Sequence, residues 1–325
     1  MNRPFRGVLL FLVAALAGMF EPVQAQQPGR VYRLGWLGTS QGITVEGEKL
    51  LLDQLSSQGF VDGKNLSIVR KGSDTNREQQ AAFARELVSA KPDVLLTAGT
   101  PNTRLLQSAT STIPIVFLGT ADPVGSGLVK SLAHPGGNIT GVSNQQCAIA
   151  AKAVELAHEL APKAKRVSLV AGGTPERNAC TASFAALQAA DASIDLVWAD
   201  PYQAEATAVS TTVRAVGAKG KPDIVVIFGP QFDGVVKSLN EGGGRKVPIV
   251  CTGAEGCAVL INFDFRDLFR MAGDLIAKIL SGAPPGDLPV AQPQRYRMDV
   301  NLGVAKAQGL RVPESVLLRA DRIVQ

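Results

Sequence analysis

Lys91-Pro92-Asp93-Val94-Leu95-Leu96-Thr97-Ala98-Gly99 is echoed 130 residues later by Lys221-Pro222-Asp223-Ile224-Val225-Val226-Ile227-Phe228-Gly229. Each copy is a Lys-Pro-Asp turn, a short Val/Ile/Leu-rich run and a glycine. A run with so little polar alternation is the pattern of a parallel strand covered on both faces. The likeness extends outward. Ile113-Pro114-Ile115-Val116-Phe117 parallels Val247-Pro248-Ile249-Val250-Cys251, and Leu34–Thr39 (LGWLGT) parallels Leu169–Thr174 (LVAGGT). In order, each half reads strand, Gly-Thr, helix; Lys-Pro-Asp, strand, helix; and a proline-led strand. Three matches in one order point to two similar α/β lobes, each of roughly 120–150 residues, an ordinary domain size.

Further apolar runs fill in the pattern: Leu66–Val69, Val167–Ala171 and Ile194–Trp198 read as strands. Between the strands lie stretches with helical periodicity: 45–58 ending at Gly59, 77–90 before Lys91-Pro92, 149–161 before Pro162, 207–218, and 267–281 ending at Gly282. Strands alternating with helices imply βαβ units and parallel sheets.

Composition narrows the function. The 33 Lys+Arg against 28 Asp+Glu leave a formal +5 with no basic run, which argues against a nucleic-acid footprint. The only histidines, His134 and His158, stand far apart, so neither a His-based metal site nor a Ser-His-Asp triad is expected. No Walker A, G-x-S-x-G, G-x-G-x-x-G or H-E-x-x-H string occurs. The reading is therefore not an enzyme, with no cofactor and no metal.

Residues 1–25 have the form of a secretory leader: Arg3 and Arg6, the apolar run 7–20, and Val23-Gln24-Ala25 at the cleavage point. The run is too short to span a bilayer, and no cysteine stands near the cleavage point to carry a lipid. Export to the periplasm makes Cys147, Cys180, Cys251 and Cys257 candidates for disulfides. Spacing favours Cys251–Cys257; Cys147–Cys180 stays open, as does a set of buried thiols.

Ligands of open parallel sheets bind beyond the carboxyl ends of the strands. There the sequence repeats one device. Thr100-Pro101, Asp122-Pro123, Thr174-Pro175 and Gly229-Pro230 each follow a strand and have the form of an N-cap followed by a helical proline. Helix N-termini present free N–H groups and partial positive charge, which suit a carboxylate or phosphate. The candidate ligand-binding residues are Thr39, Ser40, Thr100, Asn102 and Asp122 from one lobe and Thr174, Asn178, Gln231 and Glu255 from the other. Asp122, Glu255 and Asp264 are candidate partners for an ammonium group. Trp36 and Phe228 are candidate stacking surfaces, though as strand residues they read first as core.

The stretches Gly99-Thr100-Pro101, Thr112–Phe117, Asp122-Pro123-Val124-Gly125 and Leu132–Gly141 (LAHPGGNITG) resemble the substrate-binding proteins of ABC transporters in the tryptophan/tyrosine-type family. Ile279–Ala283, Val300-Asn301-Leu302 and Leu317–Asp321 are similar to that family as well. The resemblance implies a type I periplasmic binding protein: two Rossmann-like lobes, three crossing segments and a ligand in the cleft between them, with Thr100 and Asp122 facing it. Gly229–Asp233 and Ala254–Ala258 depart from the family's usual loops. The expected division is 31–143 plus 258–288 for lobe one and 144–257 plus 289–325 for lobe two, crossing at about 142–146, 254–260 and 289–296. The expected function is to hold a small carboxylate-bearing solute, an amino acid or aromatic acid, and deliver it as a monomer to an inner-membrane ABC permease. A ligand-sensing receptor and an exported α/β enzyme are the alternatives.

Overall fold

A computed structural model describes residues 29–38, 45–72, 77–173, 178–199, 205–229, 232–242 and 246–325. The leader lies outside them. Among the described residues the strands are β1 (Tyr32–Leu37), β2 (Leu66–Lys71), β3 (Val94–Ala98), β4 (Ile115–Thr120), β5 (Ile139–Ser143), β6 (Val167–Gly172), β7 (Ile194–Ala199), β8 (Ile224–Phe228), β9 (Ile249–Cys251), β10 (Val259–Phe263), β11 (Tyr296–Asn301) and β12 (Arg322–Val324). The helices are α1 (Val45–Ser57), α2 (Arg77–Ser89), α3 (Gly99–Ala109), α4 (Gln146–Leu160), α5 (Thr181–Ala190), α6 (Glu205–Gly217), α7 (Asp233–Glu241), α8 (Phe265–Leu280), α9 (Leu302–Ala307) and α10 (Glu314–Leu317).

The strands form two sheets flanked by helices. One has the order β2-β1-β3-β4-β5; the other runs β12-β11-β10-β9-β8-β6-β7. Counted from β1 and from β6, the first five strands of each sheet have the same 2-1-3-4-5 order. The Lys-Pro-Asp repeat has one physical job in both. Asp93 accepts the Arg33 N–H at 2.7 Å and donates its own to the Arg33 carbonyl at 2.9 Å. Asp223 accepts the N–H groups of Lys165 and Arg166 at 2.8 and 3.1 Å and donates to the Arg166 carbonyl at 3.0 Å. Each carboxylate thus pins the start of its sheet's third strand to the start of the first, consuming donors that the ladder leaves over.

The strands are buried because both faces are covered. In the first sheet Leu34, Trp36, Leu96 and Val116 meet α1 and α8, while Leu37, Leu95 and Phe117 meet the side that holds Ala84, Leu87 and Leu106. Helix α8 begins at Asp264, whose carboxylate accepts the Arg266 N–H at 3.0 Å, and ends where Gly282 takes a φ of 103°. Leu268, Phe269, Ala272, Leu275, Ile276 and Ile279 form its buried stripe at helical spacing. Helix α1 lies so close that a Cβ on Gly47 would stand 2.4 Å from the Phe269 ring. Each fully buried Leu or Phe here contributes about 1.5–3 kcal/mol.

The expected boundaries need two corrections. Residues 258–263 were assigned to lobe one, but β10 pairs with β9 in parallel and with β11 antiparallel, so it belongs to the second sheet. The chain therefore leaves that sheet after Phe263, not at 254–260, and enters α8 against the first sheet. The other correction concerns the return. Ala291 still pairs with β5, donating to the Gly141 carbonyl at 2.9 Å and accepting from the Ser143 N–H at 2.9 Å. Crossing begins only beyond it. The exchange is reciprocal: the chain passes from β5 to α4, which packs on the second sheet, and from β10 to α8, which packs on the first. Among the described residues no helix is long and apolar enough to cross a membrane.

Both candidate disulfides are present. Cys147–Cys180 ties the first turn of α4 to the residue that opens α5, with Cα atoms 5.1 Å apart. Cys251–Cys257 closes the loop between β9 and β10, with Cα atoms 6.0 Å apart.

Candidate functional site

The carboxyl ends of β1, β3 and β4 and of β6, β8 and β9 carry the candidate residues. Thr39, Ser40, Thr174 and Gln231 lie outside the described residues; the other five are placed.

Thr100 is not an N-cap. Gly99, with φ 75°, lets α3 start directly off β3, so Ala98 is the cap residue and makes no side-chain bond. Thr100 and Pro101 fall inside the first turn, where a missing proline N–H costs nothing. Asn102, on the same turn, accepts the Gln80 amide at 3.1 Å, and Gln80 also donates to the Gly38 carbonyl at 3.2 Å. Gln80 is 4% exposed, a buried clasp between the ends of β1 and β3. Its position inside the polar sequence of α2 gave no sign of that role.

Asp122-Pro123 does not open a helix either. The Asp122 carboxylate accepts the Gly125 N–H at 2.7 Å, and its carbonyl accepts the Ser126 N–H at 3.0 Å, closing a compact turn. A Cβ on Gly125 would stand 2.1 Å from the other carboxylate oxygen. Asp122 therefore shapes the loop after β4. Asp264 is likewise a cap, as described for α8. Trp36 and Phe228 are 1% and 4% exposed, and Phe228 meets Phe184 edge-on at 5.0 Å; both are core.

In the second sheet, Asn178 donates to the Gly172 carbonyl at 2.8 Å and accepts the Cys180 N–H at 2.7 Å, fixing the approach to α5. Glu255 is exposed, with its backbone N–H held by Asp233 at 2.8 Å. Thr252, 4% exposed, accepts the Gly229 N–H at 3.2 Å and links the ends of β8 and β9.

Helices α3, α4, α5 and α7, which start at this end of the sheets, have no side-chain cap, whereas α8 and α9 are capped by Asp264 and Asn301. These ends carry positive potential that suits an anion, although the Gln146 N–H is held by the Asn144 side chain at 3.2 Å and the Thr181 N–H by the Asn178 carbonyl at 3.3 Å. At the first crossing Gln145 has a left-handed φ of 47°. Its amide donates to the Pro293 carbonyl at 2.9 Å and accepts the Tyr296 hydroxyl at 3.2 Å, joining the first crossing to the third. Asn144 beside it donates to the Gly119 carbonyl at 3.1 Å. These two residues were missed because an amide in a loop carries no pattern. A groove of about 640 Å³ opens beside this crossing, between the Asp122 turn and helices α4 and α5. Among the described residues no cluster of His, Cys, Asp or Glu could hold a metal.

A family model described as ABC transporter substrate binding protein matches residues 43–324. A tyrosine-binding protein of Clostridioides difficile (strain R20291) is 28% identical over 272 residues, covering 80% of this chain and 75% of that protein. A solved ABC domain from Streptococcus pneumoniae in complex with L-Trp has a TM-score of 0.74 at 25% identity, over 90% of this chain and 100% of that one. A conserved domain protein from Vibrio cholerae has a TM-score of 0.76 at 29% identity, with the same coverage.

Proposed function

The chain belongs to the family of ABC transporter substrate-binding proteins, and from that premise we propose that it holds an amino acid with an aromatic side chain between the carboxyl ends of its two sheets and hands it to an ABC permease. The observation that carries this reading is the likeness, across 90% of the chain, to a domain solved with L-Trp. The tyrosine-binding relative points the same way.

The chemistry of the strand ends fits such a ligand. Its carboxylate suits the uncapped N-termini of α3 and α5, near Thr100 and Asn178, together with Thr39, Ser40 and Thr174. Its ammonium suits Glu255, whose carboxylate is exposed, better than Asp122, one of whose oxygens already closes a turn. Asn102 and Gln231 complete the polar set. Each sheet contributes part of it, so the ligand favours the arrangement in which it touches both, and that difference in affinity drives closure. The crossings at Gln145, Asp264 and beyond Ala291 are the hinge. Export to the periplasm as a cleaved, soluble monomer accords with the leader pattern and with two disulfides, which persist in oxidising compartments.

Titration calorimetry with L-tryptophan, L-tyrosine and their neutral amides tests this. Micromolar binding corresponds to about −8 kcal/mol. The free acids are expected to bind at least about tenfold more tightly than the amides, a gap of about 1.4 kcal/mol. Equal affinity for acid and amide would remove the carboxylate from the reading, and no binding of either amino acid would remove the ligand class.

A further inference from the structure

The two disulfides both sit at the carboxyl edge of the second sheet but differ in access. Cys251 and Cys257 are 0% and 6% exposed, sealed among Val236, Ile249 and Ala254. Cys180 is equally buried at 2%, but Cys147 is half-buried and lines the groove of about 640 Å³. Asp122 and Val124 form one wall of that groove, and Ala151 and Leu187 the other. The Cys147 sulfur also lies 4.0 Å from the Ala121 carbonyl oxygen, at the start of the Asp122 turn. One bond thus touches the loop after β4, the first crossing and the segment that leads into α5.

Thiol–disulfide exchange requires a thiolate to reach a sulfur, so access governs which bond opens. We propose that Cys147–Cys180 is an exchangeable disulfide, opened in the folded protein by a small thiol entering this groove, and that its opening loosens the second sheet's share of the ligand site while Cys251–Cys257 stays closed. The incoming thiolate attacks the Cys147 sulfur. A mixed disulfide forms there as the Cys147–Cys180 bond breaks, and the electron pair leaves on Cys180, which takes up a proton. A second thiol then attacks the reductant's sulfur in the mixed disulfide. Cys147 is released as a thiol, and the reductant leaves as its own disulfide. Two thiols are oxidised and one protein disulfide is reduced.

The coupling to the site runs through Asn178. Cys180 donates its N–H to the Asn178 side chain, which in turn holds the Gly172 carbonyl at the end of β6. With the covalent tie to α4 gone, the entry to α5 is held by non-covalent contacts: these hydrogen bonds, those from Thr181 to the Asn178 carbonyl, and the burial of Cys180 and Phe184. The effect on ligand rests on the binding proposed above; the exchange itself does not.

The test uses the oxidised chain under rising concentrations of reduced glutathione. Free thiols are trapped with iodoacetamide and located by peptide mass, with circular dichroism as the check on folding. Cys147 and Cys180 are expected to be trapped together at glutathione concentrations at least about tenfold below those that expose Cys251 and Cys257. Opening of Cys251–Cys257 first, or of both bonds only as the fold is lost, would overturn the proposal. Amide exchange at Cys180 and Thr181 is expected to quicken about tenfold in the opened protein, and the dissociation constant for L-tryptophan or L-tyrosine to rise by a similar factor. Unaltered amide exchange would reject the coupling. Should the oxidised chain bind neither amino acid, the functional reading fails, while trapping and amide exchange still decide this one. The C147S/C180S double variant should reproduce the opened state; if it does not fold, the glutathione-treated native chain supplies the same measurements.

Discussion

The two sheets share a strand order and an aspartate anchor, yet their carboxyl edges are held together by different means. At the edge of the first sheet the ties are hydrogen bonds: Gln80 joins Asn102 to Gly38, Asp122 closes on Gly125, and Asn144 reaches Gly119. At the edge of the second, two disulfides stand beside the hydrogen bonds of Asn178 and Thr252. One topology thus accepts either kind of edge. Hydrogen-bonded loops re-form when disturbed, whereas cross-links also restrict the unfolded chain and make the edge depend on redox conditions. The duplicated part of the design is the order of the strands and the way β3 and β8 are anchored. The edge that would meet ligand is where the two copies diverge.

The largest expected effect breaks that covalent asymmetry. With a sequence separation of 33, loss of Cys147–Cys180 should lower the unfolding free energy by roughly 3–4 kcal/mol in the chain-entropy account. The bond across a separation of 6, Cys251–Cys257, should be worth about 2 kcal/mol. Urea unfolding of the C147S/C180S and C251S/C257S variants measures both. Equal losses would show that loop closure does not set their value.

A second experiment asks whether the first sheet has a rigid point of its own. A Cβ on Gly141 would stand 2.2 Å from the Phe117 carbonyl oxygen, a backbone atom that cannot turn aside. Ile261 holds the middle of β10, the matching strand of the second sheet. Gly141→Ala should therefore force β4 and β5 apart and cost about 1–3 kcal/mol. Ile261→Val, which only removes a methylene, should cost about 0.5–1.5 kcal/mol. Thermal melts of the two variants decide. A harmless alanine at 141 would mean that β5 is not held as closely as this contact requires.

The shared anchor offers the complementary test. Asp93→Asn and Asp223→Asn each remove the charge that accepts backbone N–H groups at the start of β1 or just before β6. Hydrogen bonds to charged groups contribute about 1.5–3 kcal/mol, and partial exposure puts each substitution near 1 kcal/mol. The backbone bonds alone make the loss at 223 the larger, because Asp223 accepts two backbone N–H groups and Asp93 one. Asp93 also pairs with Arg30 at 2.5 Å, so a larger loss at 93 that high salt abolishes would assign the excess to that pair.

This anchor was legible in the sequence because a proline, an aspartate and an apolar run are all local and act locally. Parallel strands covered on both faces were legible for the same reason: Val94–Ala98, Ile224–Phe228 and Ile249–Cys251 begin and end where their apolar runs do. Strand β5, reading Ile-Thr-Gly-Val-Ser, and β11, reading Tyr-Arg-Met-Asp-Val-Asn, were not, since their polar content looks like loop and their place is set by neighbours distant in sequence. Strand β10 has no strand reading in the sequence, and its residues fall in the wrong lobe because the crossing that follows them is a single capped turn at Asp264. At the candidate site the X-Pro rule failed twice. Gly99 allows a helix to start without a cap, and Asp122 satisfies its turn without a helix. Cys147–Cys180 stays open in the sequence because pairing across the α4–α5 packing has no sequence signature.

The smallest expected effect lies on the second lobe, well away from its edge, where α4 meets the C-terminal segment. Glu159 accepts the Ser315 hydroxyl at 2.6 Å and pairs with Arg319, and these contacts hold its carboxyl below the usual carboxylate range, Ser315 contributing most and burial opposing. A carboxylate whose folded pKa is depressed adds stability above its unfolded pKa of about 4.3 and loses it as the pH falls through the folded value. The first lobe has a counterpart in the pair of Glu48 and Arg70, which joins α1 to β2. The Glu159 side chain is 33% exposed and that of Arg319 56%, so solvent screens the pair. Its worth is then about 0.2–1 kcal/mol, as for other surface pairs. Glu159→Gln should lower the melting temperature slightly at pH 7, and the difference should shrink as the pH falls through the depressed folded pKa of Glu159. Melts of the two proteins across the acid range should converge as the pH falls. Curves that stay parallel throughout the acid range would assign the loss to packing of the glutamine amide and remove the charge from the account.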